Sequence, residues 1–355
     1  MQLCAVGRVR WKLLVPLAGF VVRNVLTIFV AVVFAAGAVG CGEPIDGNDG
    51  ERAGWEAELY SPTQFTRLGD RYFLVDCWHN RILYNDELGD DLLDWEVLDG
   101  ELAGPHSIAT DGQFYVVDDT GRHRVNVYVD TEDGFLLHQT LGGEELWNRP
   151  HRVQYDDELD AFFVIGSHTH NVTKLVADGD ELVIERDVHL EFLDGDYTRS
   201  MSIIDGKMYF VSGPDRIHKT RHRDGSFDVI DSWDVPPEFS SMIDIYHIDD
   251  HYFLTATVNW WDQEFFEDNT IVRCADLDDF VNGGCEDLRD ELGIKGAPYY
   301  LSEIDDRVYV PQVYQYSGVV SFVAGDGGEV TEVETVFDSG PPGEENKEER
   351  FRLPK

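Results

Sequence analysis

Six times between residues 69 and 312 the chain repeats one short unit, an Asp/Gly-rich turn followed by a run of β-branched and aromatic residues. The copies are GDRYFLVD (69–76), DGQFYVVD (111–118), LDAFFVIG (159–166), DGKMYFVS (205–212), DDHYFLTA (249–256) and DDRVYVPQ (305–312). Their starts lie 42, 48, 46, 44 and 56 residues apart. Each is a strand after turn chemistry, with a short alternating strand upstream and two more downstream. Four strands in roughly 40–50 residues make one propeller blade. The spacing therefore predicts an all-β fold, a six-bladed β-propeller of four-stranded blades over residues 55–340. A pair of β-sandwiches would not repeat a turn and strand six times at even intervals. The long last spacing is explained by CADLDDFVNGGCEDLRDELG (274–293), read as a short helical insert in blade five pinned by a Cys274–Cys285 disulfide. GWEAELY (54–60) or EVTEVETVF (329–337) is expected to close the wheel by completing a blade shared between the two ends.

The first 41 residues carry a different signal. Arg8, Arg10, Lys12 and Arg23 precede VLTIFVAVVFAAGAVGC (25–41), an apolar run ending in small residues. A basic segment, an apolar stretch and a small-residue cleavage site describe a secretory signal. AVGC resembles the lipobox of bacterial lipoproteins, which implies lipidation at Cys41, although Ala38 stands where that family prefers leucine. The alternative is a single transmembrane anchor, for which the apolar run is short against a span of about 20 residues. GEPIDGNDGERAG (42–54) reads as a flexible tether and 341–355 as a polar tail. The expected location is extracytoplasmic: anchored in a cell envelope or periplasm, or secreted, with the membrane met only through the N-terminus. With Cys4 and Cys41 in the signal, Cys77 is the unpaired cysteine, expected buried beside a strand, and no CxxC zinc spacing is present.

Acidic residues outnumber basic ones 69 to 28, for a net charge of −41. Such a surface repels nucleic acid and anionic lipid, which excludes a polyanion partner. The acids are spread from 43 to 349 and fit a solvated surface, a saline habitat or an affinity for cations.

PHSIATDGQFYVVDDTGRHRVNVY (105–128) and FLVDCWHNRILYN (73–85) resemble NHL-type repeats, whose blades carry an Asp-containing turn and an Arg-Ile/Val strand; Arg81 and Arg124 hold that arginine position. The resemblance covers about residues 55–330 in architecture and 70–175 in motif. It implies the propeller, and no single function, because such propellers serve as scaffolds, receptors, lyases and lactonases alike.

In a propeller the first strand of each blade lines the central channel. Counting back from each acidic turn aligns Gln64, His106, His151, Ser200, Asp244 and Tyr300 at one mouth, all polar, flanked by Arg152 and Arg199. Two residues on come Thr66, Ile108, Val153, Ser202, Tyr246 and Ser302. Loops at the same mouth add Trp78 with His79, Arg122 with His123, and His168 with His170. Further round they add Asn259 with Trp260 and Trp261, then Tyr314 and Tyr316. His106, His151, His168 and His170 are candidate ligands for a divalent metal, zinc or calcium, or candidate acid–base groups. On a strand, the H-x-H spacing of His168 and His170 would put both rings on one side. Trp260 and Trp261 are candidates for stacking a sugar, a peptide or another flat group. The structural alternative is a water-filled polar channel with ordinary surface histidines and loop packing.

GPHSIA (104–109) is similar to a ligand site of peptidyl-amidating lyases, which hold zinc with inner-strand histidines. That likeness lacks its third histidine, since blades four to six offer Ser200, Asp244 and Tyr300. Six-bladed lactonases and phosphotriesterases use an axial Glu/Asn/Asp set, of which Asp244 alone is present. No GxSxG, P-loop or GxGxxG motif occurs; NVT (171–173) is a glycosylation sequon by pattern. Two classes follow: a propeller, expected monomeric, that binds a small molecule, glycan, peptide or envelope protein at its channel mouth, and a metal-dependent lyase or hydrolase at the same place.

Overall fold

The computed structural model describes residues 56–341 except 214–215, 237–238, 240, 260–263 and 326. The signal segment with Cys41, the tether, residues 342–355, Trp260 and Trp261 lie outside the described residues.

Six antiparallel sheets follow one another along the chain, at residues 62–99, 108–142, 150–189, 197–234, 244–287 and 297–340, each with its strands in chain order. The innermost strands are Pro62–Leu68, Ile108–Thr110, Pro150–Asp156, Tyr197–Ile204, Asp244–Ile248, and the pair Ala297–Pro298 and Ser302–Ile304. The repeated unit is the second strand of every blade. It reads as continuously apolar because both of its faces are buried. In blade two, Phe114 and Val116 pack toward blade three, while Tyr115 and Val117 pack toward blade one. The acidic turns before these strands have a conformational role as well. Asp205–Gly206, Asp249–Asp250 and Asp305–Asp306 all sit at positive φ, as a I′ hairpin turn requires, and aspartate tolerates that region better than most residues.

One hydrophobic core lies between each neighbouring pair of blades, and the sixth joins the last blade to the first through Leu59, Phe65, Trp95, Tyr309 and Phe337. Among the described residues no blade is shared between the ends. Residues 330–340 are the outer strand of blade six itself, and 56–60 form no strand. The aromatic core of that joint replaces the expected strand exchange. It is reinforced by an Arg67–Asp305 ion pair at 2.9 Å and by Tyr300 N donating to Thr63 O at 3.2 Å. Leu59 N and Ser61 N donate to the hydroxyls of Ser339 and Ser317 at 2.8 and 3.2 Å.

The insert of blade five is helical. Helix α1 (Leu277–Asn282) is capped by the Asp276 side chain, which accepts from Asp278 N, and ends at Gly283 with φ 73°. The Cys274–Cys285 disulfide spans it. A helical turn, α2 (Arg289–Leu292), follows the two-residue outer strand Glu286–Asp287.

Candidate functional site

Strand pairing corrects the aligned ring. Gln64, Ser200 and Asp244 pair with Val75, Val211 and Thr255, the equivalent position of each second strand. In blades two and three that position, Val117 and Ile165, pairs with Ile108 and Arg152. In blades one to five the ring at one level is therefore Gln64, Ile108, Arg152, Ser200 and Asp244. In blade six the equivalent Pro311 accepts from Tyr299 N at 2.9 Å, and Tyr300 is the next residue, between the two paired stretches of that inner strand. His106 lies two residues before it and His151 one, so both stand nearer the mouth than the alignment placed them. His106 also precedes its strand. The Asp118 carboxylate takes the backbone N–H groups of His106 and Ser107 at 2.9 and 2.6 Å, in place of ladder partners.

The ring level is filled. The Arg152 guanidinium lies 3.7 Å from the Tyr300 ring centroid and 3.9 Å from Asp244. Ser200 and Ser202 donate to Asp244 Oδ1, both at 2.9 Å, and Leu301 N donates to Oδ2 at 3.0 Å. Burial pushes the Asp244 carboxyl up, against the pull of Arg152 and these donors. Gln64 Oε1 accepts from Ile108 N at 2.7 Å and ties blade one to blade two.

Just above, the inner strands of blades one, three and four each carry one extra residue, skipped by the pairing: Thr63, His151 and Arg199. Such bulges re-aim a side chain next to functional sites. The Tyr300 hydroxyl reaches the carbonyl oxygens of both His151 and Arg199, at 2.8 and 2.7 Å. One phenol thus fixes two neighbouring bulges relative to each other.

The two histidines stack with ring centroids 3.8 Å apart, yet their nitrogens fare differently. His106 Nδ1 meets Thr120 Oγ1 at 3.1 Å, and that hydroxyl has its single proton claimed by Asp118 Oδ2 and Pro150 O at 2.7 and 2.6 Å. Nδ1 must therefore donate to the hydroxyl. Nε2 is left to accept from the Cys77 thiol at 3.7 Å. Both nitrogens of His106 are satisfied.

His151, only 2% exposed, meets the Tyr299 hydroxyl at 2.9 Å through Nε2, while Nδ1 is buried with no partner. Burial holds Tyr299 well above the usual phenol range, so it keeps its proton. Burial, with His106, Arg149, Arg199 and His168 around it, holds the His151 imidazole well below its ordinary value and hence neutral. If Tyr299 donates to Nε2, one polar group is left unmet, an Nδ1–H. The opposite tautomer leaves two, the phenol proton and the Nδ1 lone pair. The first arrangement costs less, which puts a buried N–H donor at the mouth.

Around this donor stand Tyr197, 5.7 Å from the His151 ring and 4.9 Å from His168, and Arg199, 5.2 Å from the Tyr197 ring. Trp78 packs edge-on against Tyr314 at 5.4 Å, on the side of Tyr299. Tyr316 points elsewhere, with its hydroxyl bonded to Asp338 in blade six.

His168 and His170 do not share a strand face. Residues 167–170 form a turn, and His170 takes φ 51°, as Asn80 and His123 do at the same station of blades one and two, with φ 55° and 57°. Histidine is among the residues that tolerate this region, so His123 and His170 are turn formers. The His170 ring bonds Asp196 O at 2.7 Å and faces Asp194, away from His106. Gly166 before this turn has no room for a Cβ, which would meet Thr169 Oγ1 and Asn171 Oδ1 at 2.1 and 2.4 Å. Among the described residues no three His, Cys, Asp or Glu side chains are placed to hold a metal ion. The four candidate histidines form no common donor set, and a zinc or calcium site built from them does not fit this geometry.

Asp118, Thr120, Arg149, Tyr197 and Tyr299 belong to the site and escaped the sequence reading. The adjacent tyrosines 299 and 300, at an inner-strand start, were the available signal. A surface hollow lies on the face opposite the mouth, around Arg71, Tyr84 and Glu96. Its arginine is already held by Asp86 and Asp130, both at 2.9 Å.

No family profile matches the sequence, and no curated protein matches it. Solved structures do resemble it. A provisionally assigned 6-phosphogluconolactonase from Bacteroides fragilis NCTC 9343 is 14% identical with TM-score 0.55, over 80% of this chain and 86% of that one. A second so assigned, from Bacteroides uniformis ATCC 8492, is 12% identical with TM-score 0.54, over 77% and 84%. A streptogramin B lyase is 11% identical with TM-score 0.52, over 78% and 83%. At such identities the likeness establishes the propeller fold alone.

Proposed function

We propose that this protein is an exported, envelope-anchored β-propeller that binds a small-molecule ligand at the mouth of its central channel. The observation that carries the reading is the buried His151 Nδ1, on a β-bulge beside Tyr197 and Tyr299 and without a hydrogen-bond partner among the described residues. A buried donor without a partner costs about 1–3 kcal/mol, and such a cost persists where a ligand relieves it. A donor set this deep favours a small molecule, or the tip of a glycan or peptide, over a flat protein surface. A metal-dependent lyase or hydrolase needs converging donors; His106 has both ring nitrogens engaged, His151 gives one to Tyr299, and His170 is turned to Asp194 and Asp196.

Thermal-shift screening of residues 42–355, with Cys41 replaced, tests the reading. Compounds that stabilise the wild type and lose their effect in His151→Ala support it. Stabilisation that survives His151→Ala contradicts it. So does a stoichiometric divalent ion that is lost on replacing His106 and His151 together.

Export and lipidation rest on residues 8–41. Labelled palmitate incorporated into the full chain and lost in Cys41→Ser is the expected result; an unlabelled, membrane-embedded chain would favour a transmembrane anchor. The Asp76–Arg81 and Asp119–Arg124 pairs, at 2.9 and 2.8 Å, support kinship with NHL-type blades. Each blade-to-blade core is buried within one chain, which is consistent with a monomer.

A further inference from the structure

Resting on the mouth as the binding site, we propose that the ligand is a planar small molecule bearing a carboxylate or phosphate, received by the Arg199 guanidinium and the His151 Nδ1–H. The argument begins with charge. With 69 acidic against 28 basic residues, an arginine in this chain has more than two potential carboxylate partners. Arg67, Arg71, Arg81, Arg122, Arg124 and Arg273 are all so paired, while Arg186 and Arg221, which have no carboxylate partner among the described residues, are exposed. Arg199 is neither paired in this way nor exposed. Among the described residues its guanidinium has neither a carboxylate partner nor a hydrogen bond, and it rests on the Tyr197 ring, half-buried.

Among the described residues, four carboxylates near the mouth are engaged. Asp76 is held by His79 at 2.7 Å and Arg81 at 2.9 Å. Asp119 is held by Arg122 and Arg124 at 3.3 and 2.8 Å. Asp118 is occupied by Ser107, Thr120 and the His106 backbone, and Asp244 by Ser200, Ser202 and Arg152. The uncommitted groups there include the Arg199 guanidinium and the His151 Nδ1, beside Arg152 Nε and Nη1 and the Ser167 and Thr198 hydroxyls, a set rich in donors.

The two residues stand on bulges of adjacent blades whose carbonyls share one phenol, the Tyr300 hydroxyl, so the backbones that carry the donors are fixed relative to each other before a ligand arrives. Guanidinium and imidazole N–H groups suit an oxyanion, and Arg favours planar, two-oxygen acceptors. Tyr197 beneath Arg199 and Tyr299 beside His151 supply flat apolar walls for a ring. The acidic surface repels anions at long range. At physiological salt that repulsion decays over about 8 Å, which leaves the mouth's own groups to decide.

The test compares 2-naphthoate with its neutral isostere 2-naphthamide, titrated calorimetrically into residues 42–355 carrying Cys41→Ser. The expected result is one site, with naphthoate bound at least tenfold more tightly. The preference should vanish in Arg199→Gln, whose melting temperature stays at the wild-type value. Competition by inorganic phosphate would assign a phosphate ligand, and competition by benzoate alone a carboxylate. Equal binding of the two naphthyl compounds overturns the anion assignment and leaves the mouth reading standing. A preference that survives in Arg199→Gln also overturns it. Binding of neither, by protein that melts cooperatively, overturns both.

Discussion

His106 and His151 are stacked neighbours on consecutive blades and look alike in sequence, each following a proline, but they have opposite roles. His106 gives its Nδ1 proton to Thr120 and receives the Cys77 thiol at Nε2. It is a closed structural unit joining blades one, two and three. His151 has one nitrogen met by Tyr299 and one without a hydrogen-bond partner among the described residues. The difference comes from the backbone. The Asp118 side chain draws the chain before blade two into a loop, whereas a bulge in blade three turns the extra residue toward the mouth. A polar residue at a channel mouth becomes informative only when its hydrogen bonds are counted.

The largest expected contrast is in stability. His106→Ala removes a stacked, doubly bonded ring and should cost about 3 kcal/mol. His151→Ala also removes an unmet donor and should cost about 1–2 kcal/mol. Urea denaturation of both variants checks the order, and a costlier His151→Ala would break the comparison. Tyr300→Phe should cost about 1–3 kcal/mol, because two bulge carbonyls lose their buried donor. It should also weaken ligand binding although it leaves both His151 and Arg199 in place.

The pH dependence is a smaller effect. Burial lowers both imidazoles below the unfolded value, with Asp118 opposing at His106 and the surrounding cations adding to burial at His151. The native state then binds fewer protons than the unfolded chain. Stability is full above about pH 6.5 and falls on acidification, by up to about 1.4 kcal/mol per pH unit for each histidine. Either alanine variant should flatten that slope by one proton, measured by denaturation at pH 7 and pH 5. Smallest of all, Arg199→Gln should change stability by less than about 0.5 kcal/mol while abolishing the preference for an anion.

The fold was legible because every second strand is buried on both faces, so FYVVD, FFVIG and their equivalents stand out as apolar runs after turns. The exact level of the channel residues was not. A bulge adds one residue to a strand without altering its composition, so Thr63, His151 and Arg199 could not be told from paired neighbours. Sequence alone makes His170 a possible ligand and hides its kinship with the loop residue His123, because positive φ leaves no mark on a single sequence. Aligned with Asn80, in CWHNR, TGRHR and SHTHN, they fall on one turn position. The unmet nitrogen of His151 depends on Tyr299, 148 residues away, a contact that only the closed wheel creates.

The most direct test is the ring-nitrogen NMR spectrum of the histidines, assigned with His106→Ala and His151→Ala variants. The account predicts His151 neutral at pH 6 with its proton on Nδ1, and a His151 Nδ1 resonance that moves on adding 2-naphthoate while that of His106 stays fixed. A charged or Nε2-protonated His151, or a response confined to His106, would contradict it.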